Sequence, residues 1–414
     1  MLKDPKTFLV PKLRFPEFRN EPPWVTRKLG ELFRQREETG RDDLRLLSLT
    51  DKEGIIPQEE SNRKNNASVD RSKYLRVARG DIVYNTMRMW EGRSALATLE
   101  GIVSPAYTVC EPCEETNSLF FAHYFKTSQL VAQFARYSQG LVKDTLNLKF
   151  EAFARILAPT PSPAEQQKIA ECLSTLDELI EVESRKFDAL KDHKKGLMQQ
   201  LFPREGETRP RLRFPEFRDA PEWEQRRLGD LVEIATGQVD PKEPPYCDLP
   251  QIGSENIESN TGKIVNVKTA REKGVISGNY VFDKEDVLYS KIRPALNKVA
   301  APSFKGVCSA DIYPVRPNSG SLLRNYLVFL LLSEKFLGYA IRSSDRGKIP
   351  KINREALLSY EAHVPSVDEQ RRIADCLSSL DDLIAAQSEK LESLRTHKYG
   401  LMQQLFPNPS EFES

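Results

Sequence analysis

Two arginines and two short basic loops are the side chains of this sequence best suited to chemistry with an anionic partner. Arg88 and Arg293 close matching runs, Asp81-Ile82-Val83-Tyr84-Asn85-Thr86-Met87-Arg88 and Asp286-Val287-Leu288-Tyr289-Ser290-Lys291-Ile292-Arg293, each read as a buried strand that delivers its Arg to a loop. A guanidinium so placed can fork onto a guanine edge or clamp a phosphate. It can equally pair with a carboxylate such as Glu91, or cover the edge of a sheet. Lys143 and Lys149 lie in and just after G-L-V-K-D-T-L-N (residues 140–147), and Lys348 and Lys351 lie in G-K-I-P-K-I-N (347–353). These four read as phosphate contacts. Arg63, Lys64, Arg71 and Lys73 in a polar tract, and Arg342 and Arg346 leading into the second loop, complete the candidate set; surface cations are common, and solvation alone accounts for any one of them. The first loop is one residue longer than the second, so the two need not make the same contacts. No interleaving of aromatic and basic residues marks a single-strand platform, which leaves duplex as the preferred target.

Other chemistry has little to stand on. Cys110 and Cys113 form one C-x-x-C with no second pair, and His123 is the only imidazole near them, so two ordinary thiols are weighed against a zinc site. His193 and His397 fall at equivalent, exposed helix positions, poor places for a catalytic base. There is no phosphate-binding G-x-x-x-x-G-K-S/T, no N-P-P-Y/F or D-P-P-Y/F box, and no paired motif for a metal nuclease. We therefore expect no catalytic residue, no metal site and no cofactor bound by this chain.

The elements that must position the basic loops are written twice. Ile169, Leu173, Leu176, Ile180, Glu183, Phe187, Leu190, Lys194, Leu197 and Leu201 alternate steps of four and three, a seam narrow enough for one partner helix. The same seam returns at Ile373, Leu377, Leu380, Ile384, Gln387, Leu391, Leu394, Lys398, Leu401 and Leu405. Ser162 with Glu165, and Ser366 with Glu369, have the spacing of a capping box, in which both side chains satisfy free amides of the first turn. Pro203 and Pro407 end the helices. The acids Asp177, Glu178, Glu181 and Glu183 recur only in part, as Asp381 and Asp382, and read as a solvated helix face. Upstream, 11–33 returns as 210–232, with L-R-F-P-E-F, a Trp (Trp24, Trp223) and a K/R-L-G-E/D turn in both. The apolar stretches 118–138 and 322–343 have helical spacing and read as cover for one sheet face.

Between these constant parts the sequence diverges into short apolar runs broken by Gly, Pro, Asn and Asp, the pattern of strands and turns. The expected fold class is α/β: two globular domains separated by a pair of long antiparallel coiled-coil helices, with a pseudo-twofold internal repeat. Its parts are 1–160, a flank and first globe; 161–205, the first long helix; 206–365, a second flank and globe; and 366–414, the second long helix and tail. Antiparallel pairing of helices of this length would set the globes roughly 50 to 60 Å apart at 1.5 Å per residue. Net charge over the 414 residues is only +1, so attraction to nucleic acid has to come from local patches. No run approaches the length of a membrane span, and the N-terminus lacks the apolar core of a signal peptide, so a cytoplasmic location is expected.

The doubled E-Q-x-x-I-A-x-C-L-S-x-L-D-x-L-I and G-L-M-Q-Q-L-F-P, with L-R-F-P-E-F and K/R-L-G-E/D-L/V, resemble the specificity subunits of type I restriction-modification enzymes. That resemblance covers nearly the whole chain, twice in register. It implies two target-recognition domains, each reading one part of a bipartite, asymmetric site in double-stranded DNA, with the helices as a ruler. It also implies two methyltransferase subunits as partners, one per half, and room for two restriction/translocase subunits. S-adenosylmethionine, ATP and magnesium would belong to those partners. From the residues alone, a stand-alone bipartite DNA-binding protein, a coiled-coil scaffold with protein-binding globes and an unrecognised nuclease stay open.

Overall fold

Alternation along one short strand organises each half. In a computed structural model describing residues 10–50, 53–61, 70–345 and 347–407, the strand Ile82–Asn85 lies inside an antiparallel four-stranded sheet ordered Phe33–Gln35, Tyr107–Pro112, Ile82–Asn85, Ser94–Leu96. Successive side chains leave opposite faces of a strand. Ile82 and Tyr84 therefore enter an aromatic core with Phe33, Phe121, Phe125 and Phe153, while Val83 packs on the other face with Val109, Leu47 and Val77. The second half repeats the sheet as Val232–Ile234, Ile312–Pro317, Val287–Ser290, Val299–Ala300. There Val287 and Tyr289 meet Leu327 and Phe336, and Leu288 meets Ile252, Phe282 and Cys308.

Helices cover the first face in both halves, as the apolar spacing of 118–138 and 322–343 requires: Ser118–Tyr124 and Ser128–Tyr137, then Arg324–Leu332 and Glu334–Arg342. The other face carries a second layer of strands. In the first half the antiparallel pairs Leu47–Leu49 with Ile55–Pro57 and Leu75–Val77 with Gly101–Val103 lie there, joined by a parallel bridge between Leu46 and Ile102. In the second half the same order recurs as one four-stranded sheet in which Pro250–Ile252 runs parallel to Gly306–Ser309, and the divergence lies in the connections, 50–54 against 253–267 and 58–74 against 270–278.

By contacts the chain forms two compact units, residues 1–183 with 390–414, and residues 184–389. The division cuts across the linear order of the four segments expected from sequence. Each long helix, Pro163–Leu201 and Val367–Leu405, contributes one segment to either unit. Within the first unit Asp177 binds Lys398 and Glu183 binds Lys390, so the two segments run antiparallel. Within the second, Lys194 binds Asp381 at 2.6 Å, and Leu201 and Phe202 share a core with Ile373, Ala374 and Leu377. Glu183, Lys194 and Gln387 are all buried. Three polar interruptions of the seam, Glu183, Lys194 and Lys398, are thus matched across it, and Asp177 and Glu183 are helix-pairing groups, not a merely solvated face; Glu178 and Glu181 remain exposed.

The same few bonds fasten the flanks of both units. Glu165 does not complete a capping box. Its carboxylate is fully buried and taken bidentately by Arg14, at 2.8 and 2.7 Å, while Ser162 Oγ alone accepts the first-turn amide. Arg213 holds Glu369 in the same way at 2.7 Å. An Arg donates along two parallel directions that match a carboxylate, so this pair fixes orientation as well as charge. The amide oxygens of Gln166 and Gln370, both buried, accept from the backbone N–H of Asn117 and Leu323. Gly30 explains the repeated L-G: a Cβ there would stand 2.8 Å from the Cβ of Ala154, closer than real side chains approach. Its counterpart Gly229 is packed on Leu358.

Candidate nucleic-acid interface

The end of the shared strand and the basic loop are tied together by one backbone hydrogen bond that recurs. Leu148 N–H donates to Thr86 O at 2.9 Å in the first unit, and Ile352 N–H to Lys291 O at 3.0 Å in the second. This register matches Leu148 with Ile352, hence Asn147 with Lys351 and Lys149 with Asn353. The last two cap equivalent short helices, Phe150–Phe153 and Arg354–Leu358. Pairing the two loops by their Asn residues, as their sequences invite, is thus two residues out of step.

In the first unit the loop 140–146 is pinched at its base by paired bonds between Gln139 and Asn147, at 2.9 and 2.8 Å. Lys143 stands 5.8 Å from the ring of Trp90, whose Nε1–H donates to Met87 O. Basic loop and Arg88 turn therefore form one surface. Arg88 is exposed and makes a single 3.2 Å contact with Glu91, the carboxylate partner considered from sequence. An exposed pair of this kind is worth about 0.2 to 1 kcal/mol, little enough for a phosphate or base edge to displace it. Lys149 is exposed at the helix start beside the loop.

In the second unit Arg293 takes a left-handed backbone, φ +47°, with Asn297 at the same value in the same turn. An L-residue held there stores strain of about 1 to 2 kcal/mol. The turn is fixed by Arg293 N–H donating to Pro350 O at 2.7 Å and by a bridge between Ile292 and Lys351, which put Arg293 next to the basic loop. Arg293 is exposed, and among the described residues no carboxylate pairs with it. Lys348 and Lys351 are exposed on the same loop.

The remaining candidates disperse. Arg71 and Lys73 lie in a turn ahead of Leu75–Val77, on the divergent side of the sheet. Arg342 is held by Glu205 at 2.9 Å. Arg63, Lys64 and Arg346 fall outside the described residues. Sequence reasoning missed Trp90 as the link between loop and turn, although a Trp two positions after the singled-out Arg was a signal. It also missed Arg354 and Lys291, which stand 5.7 and 5.1 Å from the Tyr313 ring. Nothing at their sequence positions announces that stack.

Titratable groups elsewhere serve the helices. His123, packed on Ser174 and Asp177, is lowered to about 4 by burial and by Lys398, against the opposing pull of Asp177. Burial also raises the Asp381 carboxyl, outweighing its bond to Lys194. Cys110 is buried, which pushes its thiol well above the usual range, and Cys113 is half-buried. Among the described residues no three His, Cys, Asp or Glu side chains group as metal ligands, and no helix is long and apolar enough to cross a membrane.

A family model described as type I restriction modification DNA specificity domain matches residues 21–192 and 221–396. Over 238 residues the chain is 31% identical to the type I restriction enzyme EcoDI specificity subunit of Escherichia coli, covering 51% of this chain and 52% of that relative. The chain thus spans about half the length of that relative. It is 24% identical over 350 residues to the MjaVIII specificity subunit of Methanocaldococcus jannaschii, covering 80% of this chain and 81% of the other. In fold it resembles the type I restriction-modification S subunit from M. genitalium, with TM-score 0.59 and 15% identity over 97% of this chain and all of that one. A chain solved in work on complex assembly and conformational transition of the type I R-M system gives TM-score 0.55 and 19% identity, covering 93% of this chain and 98% of that one.

Proposed function

We infer the function from the premise that this chain belongs to the family of type I restriction modification DNA specificity domains: it is the subunit that gives a type I restriction-modification enzyme its DNA address. Each unit reads one half of a bipartite, asymmetric duplex site. The observation that carries this reading is the recurrence, in both units, of an Arg turn bonded to a basic loop in one register, beside outer strands of one order whose connections differ, 50–54 and 58–74 against 253–267 and 270–278. A shared mount with dissimilar connections beside it suits two half-sites of different sequence. Phosphate contacts from Lys143, Lys149, Lys348 and Lys351 would set position, and Arg88 and Arg293 are the groups able to fork onto a base.

The chain is not an enzyme on its own in this reading. Its repeated fastening, Arg14 on Glu165 and Arg213 on Glu369, supports two equivalent docking surfaces, one methyltransferase subunit for each unit, with places for two restriction/translocase subunits. S-adenosylmethionine, ATP and magnesium act on those partners, and the assembly works in the cytoplasm.

Co-expression with a methyltransferase partner, followed by mapping of methylated bases, tests the proposal. We expect a complex with two methyltransferases per chain and one split motif. Exchanging residues 30–160 for the matching segment of a relative should change one half of that motif and leave the other. Methylation indifferent to that exchange would overturn the assignment of the first unit as a reader.

A further inference from the structure

The two basic loops share a feature that phosphate binding does not need: an aliphatic tip turned out into solvent. Leu141 is 102% exposed, as open as a side chain in an unfolded peptide, and Val142 beside it is 61% exposed. In the second unit, Ile349 between Lys348 and Pro350 is 49% exposed. The loops differ in length and sequence, yet each offers a branched aliphatic among lysines, next to the arginine turn. Large apolar side chains are costly to leave in water, so their presence beside both arginine turns, though at different steps of the loop register, calls for a receiver.

The first tip is built, not slack. Gly140 enters it at φ +152°, and a Cβ there would stand 2.5 Å from Thr145 O. Thr145 Oγ1 donates to Val142 O at 2.9 Å, and the Gln139–Asn147 bonds clamp the base. Lys143 is turned back to the Trp90 ring, which leaves Leu141 foremost. In the second unit the Pro350 and Lys351 backbone is held by Arg293 N–H and Asp345 N–H, at 2.7 and 2.9 Å. A preformed tip loses little freedom on binding.

Resting on the reading of each unit as a duplex reader, we propose that Leu141 and Ile349 are wedges that enter a base-pair step from the minor groove, one in each half-site. Leu, Ile and Pro are the side chains that unstack such steps, and the flanking cations would hold the phosphates on either side of the opened step. Insertion is favoured over a contact with a thymine methyl because Leu141 is bare on every side; a stacked pair of bases covers both of its faces, a methyl group only one. Recognition then includes the deformability of a step as well as hydrogen bonds, so flexible pyrimidine–purine steps are favoured where the tips enter.

The test uses the full chain in its methyltransferase complex and duplexes carrying the motif mapped for the wild type, with 2-aminopurine placed singly along both halves. Wild-type binding should raise fluorescence at one step in each half, away from the methylated base. Leu141→Ala should abolish the signal in one half only and weaken binding about tenfold, the scale of one buried aliphatic side chain. Leu141→Met should retain both, and Ile349→Ala should act on the other half. Because Leu141 touches no core, a folding failure does not confuse the result. Specific binding with no unstacked step overturns the wedge and leaves the duplex reading intact. A loss on Leu141→Ala that disappears when one thymine is replaced by uracil also overturns it, in favour of a methyl contact. A wild-type complex with no preference for any duplex sequence overturns the reader assignment and the wedge with it.

Discussion

Removing Arg14 should leave one of the least tolerable groups in this protein, an ionised Glu165 with no exposure and no counter-charge. Arg14→Ala deletes both bonds to that carboxylate, at 2.8 and 2.7 Å, and those to Glu21 O and Pro22 O, at 2.8 and 3.1 Å. Breaking one side of a buried ion pair costs about 3 to 5 kcal/mol, most of it the stranded charge and not the lost attraction. Arg14→Ala should therefore destabilise the first unit by that amount, and Glu165→Leu by a similar amount. The double variant should be milder than the sum by about 2 to 3 kcal/mol, since it strands nothing. Hydrogen exchange offers a local assay, because the Leu13 amide donates to Gln404 O at 3.0 Å and reports whether the flank stays seated on the helix end. A loss of about 3 kcal/mol should speed exchange in peptides 10–20 and 400–407 by roughly a hundredfold, with peptides of the second unit as internal reference. Strictly additive single variants, or exchange unchanged in Arg14→Ala, would falsify the claim that this pair locks the flank.

Gly30→Ala should cost about 1 to 3 kcal/mol in thermal melting, because its new methyl meets Ala154 at 2.8 Å and must displace backbone; melting at the wild-type temperature would show that the two segments can part freely. His123 is lowered to about 4 from an ordinary 6.5, so between those values the unfolded chain holds more protons and stability must fall as pH falls. Its contribution is complete above pH 6.5 and lost on the way down to about 4, a difference of roughly 3 kcal/mol. His123→Phe should flatten that part of a urea-midpoint profile between pH 7 and 4; an unchanged slope would assign the acid sensitivity elsewhere. Arg88→Ala should weaken discrimination by about 1 to 3 kcal/mol within one half-site, read by methylation of single-mismatch duplexes, with Arg293→Ala acting on the other half. Equal loss across every sequence would mean a phosphate contact instead.

What could be read in advance followed periodicity. Helical spacing placed both seams, and the matching apolar runs that begin at Ile82 and Val287 placed the central strands, because burial leaves a pattern in the chain. Pairings set by distant residues left none. Glu165 sits where a capping box would put it, but Arg14, far upstream, outcompetes the local amide for its carboxylate. Likewise the acids of the first long helix look like a wet face until Lys390 and Lys398 arrive from the second. The two-residue offset between the basic loops was hidden because Asn147 and Asn353 make a persuasive false match, while the bonds to Thr86 and Lys291 that define the true one involve only backbone. Leu141 was passed over since its openness is a property of the folded loop and not of its letter.

The core of the first unit includes Leu405 and Phe406, and Phe406 stacks on Tyr124 at 4.6 Å. A ribosome making this protein therefore releases its halves in inverted order. The second unit is one continuous stretch, 184–389, and has all its parts before residue 390 is added. The first, begun earlier, waits for Leu405 and Phe406 until Val367–Leu405 has been made, and over that interval its aromatic core is incomplete.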